Sequence, residues 1–529
     1  MMDNKRPKIF VLGLDGLTFN LIRPWINQGA LPTFSKLIQE SSYGELESTI
    51  PPYSAQAWTS FMTGVNPGKH GIFDLVGFKP NSYDQILKNT LDIRSLKIWD
   101  LISEYGYKSI VVNIPLSYPP QKINGVMISG MLTPPGKEFT QPVEVKEELE
   151  KEIGSYMIDI EHYRDESLFL KDIYHGTEQR FKAAHYLMKH YDWNLFMMVI
   201  TETDRIQHLF WGKKESVLLP YYQRLDNLMG HLINHLGKET ALIIASDHGF
   251  GDLKKTLYLN NWLAKFGLLG KRKIKESKRE SIDWDLLMRR NNDDQAMAKR
   301  TGSSLKKLMR KFFRRSFDID WKRTKAFASH SGHIQGIRLN LKGREPQGTV
   351  DPLDYETLRE FIIDELYRLR DREKVEPIVE KAFKREEIYS GPLLEQSPDI
   401  LFILKDYSYH ISDGLGPYIF KDRRQGQGTH QLHGLMMVKG EGISRNKEVA
   451  GSKIIDIPPT ILYLMGISIP RAMDGKVLTE VFQAQHLKDH PIQFQEKPLE
   501  ITDRGSEIQL SSQEVEEIKR GLRSLGYIS

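Results

Sequence analysis

The sequence predicts an α/β fold, a mostly parallel sheet wrapped by helices, and three observations lead to it. Short apolar runs at 9–14, 109–112, 126–129, 195–200 and 241–245 alternate with longer stretches of helical periodicity, the pattern of strands joined by helical crossovers. Residues of metal-binding type stand just past several of these runs, where an α/β sheet builds its sites. The chain has 529 residues, 40% apolar and 27% charged, which suits one large globular domain with insertions or two domains, and excludes wholesale disorder.

The elements follow in order. Residues 9–14 form a buried strand that Asp15-Gly16 ends. Residues 20–27 and 31–39 read as helices, the second opened by Pro32 at a first-turn position. After 44–50, Pro51-Pro52 is a rigid break, and Ser54 begins a helical run to Met62. Ser54 thus sits at a helix N-terminus, where unpaired N–H groups and the positive dipole end favour a bound phosphate. Strands at 109–112, 126–129, 195–200 and 241–245 follow, with helices at 176–189, 216–235 and 354–369 in the connections and later strands at 335–341 and 435–438. No repeat or low-complexity tract interrupts the pattern.

Composition narrows the chemistry. The chain has no cysteine, so a disulfide, a thiolate zinc site and a thiol nucleophile are all excluded, and any metal is held by oxygen and nitrogen. The N-terminus runs into the first strand without a signal-type apolar region, and no apolar run reaches about 18 residues. A cytoplasmic location is the expectation. Net charge is +5, yet residues 271–325 hold 19 Lys/Arg against 8 Asp/Glu, so the remainder is net acidic.

Seven positions carry the chemistry: Asp15, Ser54, Asp204, His208, Asp247, His248 and His430. Asp204 and His208 are four apart, on one face of a helical turn, and can converge on one ion. Asp247-His248-Gly249 follows an apolar strand and sets two ligand types beside a glycine that lets the chain turn. Asp15 follows its strand in the same way. Gly428-Thr429-His430-Gln431-Leu432-His433-Gly434 offers two imidazoles ahead of another strand. Carboxylates, imidazoles and one hydroxyl nucleophile make up the parts of a two-metal phosphoryl-transfer site. Lys69 and Arg205, beside these positions, are candidate phosphate contacts.

The stretch from Ser54 through Met62-Thr63-Gly64-Val65-Asn66-Pro67-Gly68-Lys69-His70-Gly71-Ile72 resembles the nucleophile segment of the type I phosphodiesterase/nucleotide pyrophosphatase branch of the alkaline phosphatase superfamily. The likeness extends through Asp15-Gly16, Asp204/His208, Asp247-His248-Gly249 and Gly428-Thr429-His430 to Asp456-Ile457-Pro458-Pro459-Thr460. It implies an alkaline phosphatase-like three-layer sandwich with inserted cap segments. It also implies that Asp15, Asp247, His248 and Ser54 hold one divalent ion while Asp204, His208 and His430 hold a second. Zinc suits such Asp/His sites, and manganese is compatible with them. The implied activity is hydrolysis of a phosphodiester or pyrophosphate bond of a small nucleotide or nucleotide-sugar substrate through a phospho-serine. Phosphomonoesterase or phosphoryl mutase activity shares the same metals, and a binding protein that keeps the fold is the reading outside catalysis. Where the family carries a transition-state amide this chain has Asp74, which donates a hydrogen bond only when protonated. Ser54-Ala55-Gln56-Ala57-Trp58 lacks the Cys/Ser-x-Pro-x-Arg stretch of sulfatases.

The expected organisation is a core at 1–265, a basic helical insertion at 266–325, a smaller α/β lobe at 326–425 that includes Gly343-Arg344-Glu345-Pro346, and the closing core with its tail at 426–529. The insertion reads as a cap that steers anionic substrate, or as a packed helical hairpin with Leu305, Leu308, Met309, Phe312 and Phe313 on its apolar face. Contact with an anionic membrane surface through 271–325 is a further reading. Nucleic-acid binding has no recognisable motif here. His330 and His333, at the insertion's return, read as substrate contacts or surface residues.

Overall fold

The computed structural model describes residues 6–79, 81–160, 165–273, 317–329, 336–371, 376–423, 425–501 and 511–525. His330, His333 and most of the basic insertion, with its five apolar-face residues, lie outside the described residues. A mixed, mostly parallel sheet of ten strands organises the core. Its order is Lys447–Glu448, Ser42–Glu47, His433–Lys439, Thr240–Ala245, Lys8–Leu14, Leu195–Ile200, Ser109–Val112, Gly125–Ile128 and Thr140–Gln141, with Ser452–Lys453 alongside Ser42–Glu47.

The central strands are apolar throughout because both of their faces are buried. Along Lys8–Leu14, Ile9 and Val11 point into one core with Trp58, Phe61 and Ile461. Phe10, Leu12 and Leu14 point into the other with Trp25, Phe34 and Tyr222. The first face is covered by helices Ser54–Thr63, Ile98–Ser103 and Ile457–Leu464, and the second by Phe19–Asn27, Pro32–Glu40, Glu166–His190 and Leu219–His235. Two helical layers around one sheet make the expected sandwich.

Parallel register aligns the ends that matter. Leu14 pairs with Ile200 and Gly13 with Ala245, so the residues just past three neighbouring strands emerge together at one edge of the sheet. Gly13 permits helix Ser54–Thr63 to pack close. A Cβ there would lie 2.5 Å from the Trp58 ring.

One helix is longer than its sequence pattern indicates. Gly176 reads as a start, but the helix runs from Glu166 to His190, with Asp165 capping Leu168 N–H. Gly176 sits inside it because a Cβ would meet Glu202 Oε1 at 2.7 Å, and Glu202 is ion-paired at 3.0 Å with the fully buried Arg180. Packing on that pair outweighs the cost of about 1 kcal/mol for an interior glycine.

A second, smaller core gathers Leu257, Trp262, Phe327, Ile337, Ile362 and Phe402. Its sheet orders Ala326–Ala328, Gly336–Leu339, Ile400–Leu404 and Val379–Lys384. Lys271–Lys273 and Phe317–Ile319, the described ends of the basic insertion, pair antiparallel. Among the described residues no helix is long and apolar enough to cross a membrane.

Candidate metal centre

Five segments converge on one buried cluster. Asp15 follows the strand Lys8–Leu14, and Ser54 is the first residue of helix Ser54–Thr63. Asp204 and His208 lie on helix Glu202–Phe210, directly after strand Leu195–Ile200. Asp247 and His248 follow Thr240–Ala245, and His430 lies on Gly428–Gln431. The sequence marks the last segment only as a stretch ahead of a strand. It is itself a strand, paired antiparallel with Gly249–Asp252 so that Phe250 faces His430, and this two-stranded ribbon carries His430 to the cluster.

Backbone carbonyls orient all three imidazoles. His208 Nδ1 lies 3.1 Å from Gly428 O, His248 Nδ1 2.9 Å from Gly249 O, and His430 Nδ1 3.0 Å from Pro52 O. A carbonyl only accepts, so each Nδ1 carries the proton and each Nε2 presents a lone pair. That is the arrangement in which protein scaffolds hold metal-binding histidines. His208 Nε2 and His430 Nε2 face each other at 3.1 Å, and each lies 3.2 Å from Asp204 Oδ1. Two lone pairs and a carboxylate oxygen in one triangle require a cation or a proton between them.

The first triad is similar. His248 Nε2 lies 3.5 Å from Asp15 Oδ1, 3.4 Å from Asp247 Oδ2 and 3.1 Å from Ser54 Oγ. Ligands about 2.0–2.1 Å from a tetrahedral zinc stand roughly 3.3 Å apart, so both sets have the dimensions of an ion site. The donor chemistry agrees. Asp15 Oδ1 and Asp247 Oδ2 are buried and receive no hydrogen bond, a costly state for carboxylates unless a cation compensates. His248 also lies 4.0 Å from Asp204 Oδ1, so the two sites adjoin.

The electrostatics reflect crowded charge. Burial, and then repulsion from Asp247 and Asp204, pushes Asp15 well above the usual carboxylate range. Burial raises Asp247 to about 7. Burial opposes ionisation of Asp204 as well, but His208 and His430 outweigh it and hold the carboxyl well below its ordinary value. Burial lowers His248 to about 4, and burial together with His248 lowers His430 to about 4. Both imidazoles are therefore neutral ligands at pH 7.

Three expected substrate contacts are placed elsewhere. Lys69 Nζ is held by Asp474 Oδ1 at 2.5 Å and Ala472 O at 3.0 Å, which commits its charge to that acid. Arg205 is fully buried and grips Asp159 with two bonds of 2.8 and 3.0 Å, its third nitrogen standing 3.7 Å from Asp204 Oδ2. Its charge is committed to Asp159 and stands beside Asp204. Asp74 is buried and bound to Tyr53 and to the following backbone N–H groups, and Tyr53 stacks on His430 with centroids 6.5 Å apart. Asp74 therefore reaches the cluster through Tyr53. His433 is exposed. Asp456 caps local backbone, accepting from Lys453 N at 3.0 Å and Lys476 N at 2.9 Å.

The structure adds residues the sequence reading passes over. Trp58 Nε1 donates to Asp15 Oδ2 at 3.1 Å, and Gly16 N donates to Asp247 Oδ1 at 3.2 Å. Trp58 is four residues after Ser54, on the same helix face, a spacing that could have identified it. The carbonyls of Pro52, Gly249 and Gly428 leave no side-chain signal.

Comparison with known proteins agrees with this layout. Phosphonoacetate hydrolase from Sinorhizobium meliloti 1021, in complex with phosphonoformate, superposes with a TM-score of 0.53 at 14% identity, over 87% of this chain and 95% of that one. Human ectonucleotide pyrophosphatase/phosphodiesterase 5 gives 0.52 at 12% identity, over 91% of this chain and 99% of the other. At such identities the likeness concerns the fold. No curated protein matches at the level of sequence. The family description "Type I phosphodiesterase / nucleotide pyrophosphatase" matches residues 9–435, a span that contains all seven cluster residues. The chain belongs to the type I phosphodiesterase/nucleotide pyrophosphatase family.

Proposed function

We propose that this protein hydrolyses a phosphodiester or pyrophosphate bond of a nucleotide or nucleotide-sugar type substrate through a phosphoserine at Ser54. The observation that carries the reading is the convergence of three carbonyl-oriented imidazole Nε2 atoms with Asp15, Asp204 and Asp247, the Nε2 of His248 standing 3.1 Å from the Ser54 hydroxyl. Asp15, Asp247 and His248 would hold one divalent ion, and Asp204, His208 and His430 the other. When bound, such ions act as Lewis acids, making a serine hydroxyl nucleophilic and stabilising charge on the phosphoryl group.

The chain's own groups supply the positioning. Ser54 stands at the first turn of a ten-residue helix whose N-cap, Tyr53, makes no side-chain cap, so backbone N–H groups of that turn face an incoming anion. The Ser54 Oγ stands 3.1 Å from His248 Nε2, which places the attacking oxygen beside the donors that would hold the first ion. In-line attack forms the Ser54–phosphorus bond as the bond to the leaving oxygen breaks. Water then cleaves the ester and restores the serine. Lys69 and Arg205, the two cations expected to touch substrate, are committed to Asp474 and Asp159, which favours a singly charged diester over a doubly charged monoester.

Ser54→Ala tests the reading. Turnover of an aryl phosphodiester should fall at least about 10³-fold, while metal content, measured by elemental analysis, should stay near two ions per chain. Wild-type rates in the variant would place the nucleophile elsewhere. Faster wild-type turnover of the matched monoester would replace the diesterase reading with the monoesterase one.

A further inference from the structure

The turn at Asp15-Gly16 joins the two halves of the cluster, and every backbone polar group in it is engaged. Asp15 N–H donates to Ile200 O at 3.2 Å, and Gly16 N–H donates to Asp247 Oδ1 at 3.2 Å. The two carbonyls are taken by one helix. Asp15 O accepts from the Thr203 hydroxyl at 2.6 Å, which is shared with Ile200 O at 2.8 Å, and Gly16 O accepts from Gln207 Nε2 at 3.0 Å. Gln207 Nε2 also lies 2.9 Å from Thr203 O. Two carbonyls beside one nitrogen settle which end of the amide is the donor. Thr203 and Gln207 are four apart on helix Glu202–Phe210, on the face next to the one that offers Asp204 and His208 to the cluster. Both are fully buried.

We infer that Thr203 and Gln207 are positioning residues that set the spacing between the two ion sites. Through them the helix carrying Asp204 and His208 is bonded directly to the turn carrying Asp15, rather than through the sheet alone. The joint is short and rigid. Its glycine has φ +70°, and a Cβ there would approach Phe250 at 2.9 Å and Gln207 Nε2 at 3.2 Å. A group that orients metal ligands in this way typically governs affinity by about 10- to 100-fold. The inference rests on the two-ion reading of the site, and its test separates the two.

The probe is Mn²⁺, which carboxylate and imidazole ligands accept, titrated into the metal-stripped full-length chain. Stoichiometry comes from calorimetry, and electron paramagnetic resonance reports spin coupling between neighbouring ions. Wild type should take up two ions and show a coupled spectrum. Thr203→Val and Gln207→Met keep volume but remove the donors. Each should weaken uptake of one of the two ions about 10- to 100-fold and alter or abolish the coupled signal, with melting temperature controlling for misfolding. Thr203→Ser, which keeps the hydroxyl, should restore both readouts. Unchanged affinity and coupling in the folded variants would overturn the inference while leaving the site intact. If wild type binds fewer than two ions, the two-ion reading falls and takes the inference with it. If Thr203→Val and Gln207→Met fail to fold, Thr203→Ser and Gln207→Asn decide. A normal spectrum in the serine variant with an altered one in the asparagine variant, whose shorter amide cannot span to Gly16 O, supports the joint, and normal spectra in both overturn it.

Discussion

Replacing Asp74 by Asn should change how stability depends on pH, by an amount set by the burial of one carboxyl. Asp74 is 1% exposed, and burial raises it from the ordinary 3.8 to about 8, against the lowering effect of its hydrogen bonds to Leu75, Tyr53 and Val76. In the folded chain it keeps its proton at neutral pH, whereas in the unfolded chain it has lost it above pH 4. A folded-state pKa above the unfolded value makes stability fall as pH rises between the two values, levelling off above the folded one. Each unit is about 1.4 kcal/mol, so this residue costs the wild type roughly 3–4 kcal/mol of stability between pH 5 and pH 8. Asn has a similar shape and does not titrate. The stability of Asp74→Asn minus that of wild type, from urea unfolding at fixed chelator concentration, should therefore rise by that amount over the same interval. Taking the difference between the two proteins cancels every other titrating group. Parallel curves would refute the reasoning and mean that Asp74 is ionised in the folded chain. Turnover at pH 7 should survive the change, because Asp74 meets the cluster through Tyr53 and the amide oxygen still accepts the bonds that hold it.

Two other predictions concern the ligands. His430→Ala should lose one equivalent of metal and at least about 10²-fold in rate, while exposed His433 changed to Ala should alter neither. Elemental analysis beside a diester assay separates them, and loss of an ion in the His433 variant alone would reverse the assignment. Because Asp15 lies well above the carboxylate range and Asp247 near 7, the metal-free site holds protons that metal must displace. Titrations in buffers of different ionisation enthalpy should show one to two protons released at pH 6, roughly one fewer at pH 8, and affinity rising with pH. Proton release of zero at pH 6 would contradict the carboxylate assignments.

Much of the fold was legible because its signals are local. A strand buried on both faces is an apolar run wherever it occurs, and polar residues just past it stand out against that run. Such places gave Asp15, Asp204, His208, Asp247 and His248 without any knowledge of pairing, while Ser54 follows the Pro51-Pro52 break and His430 stands ahead of a strand. The signals that failed are those that depend on where a side chain points. Arg205 follows Asp204 directly, so on a helix it projects about 100° away, and that direction leads to Asp159. Lys69 lies on the four-residue helix Pro67–His70 and turns toward Asp474. Nearness in sequence is not nearness in space, and helix geometry sends these two charges to Asp474 and Asp159. Gly176 misled for a related reason, since its role is set by Glu202, which is distant in sequence. The carbonyls behind the three histidines are invisible to any reading of side chains.

The misplaced cations bear on substrate choice. Three buried carboxylates line the cluster, and Arg205, held by two bonds to Asp159, offsets only part of their charge. On the two-ion reading, a pair of divalent cations leaves the pocket with one net positive charge while Ser54 keeps its proton. A phosphodiester, carrying one negative charge, balances that pocket. A monoester dianion would leave a buried negative charge uncompensated, which is expensive in a low-dielectric site. Had Lys69 or Arg205 faced the cluster, as their sequence positions suggested, the balance would have shifted toward the dianion. On that reading, Asp474 and Asp159, two acidic residues that hold cations, would bear on the choice between ester classes as much as the ligands that form the site.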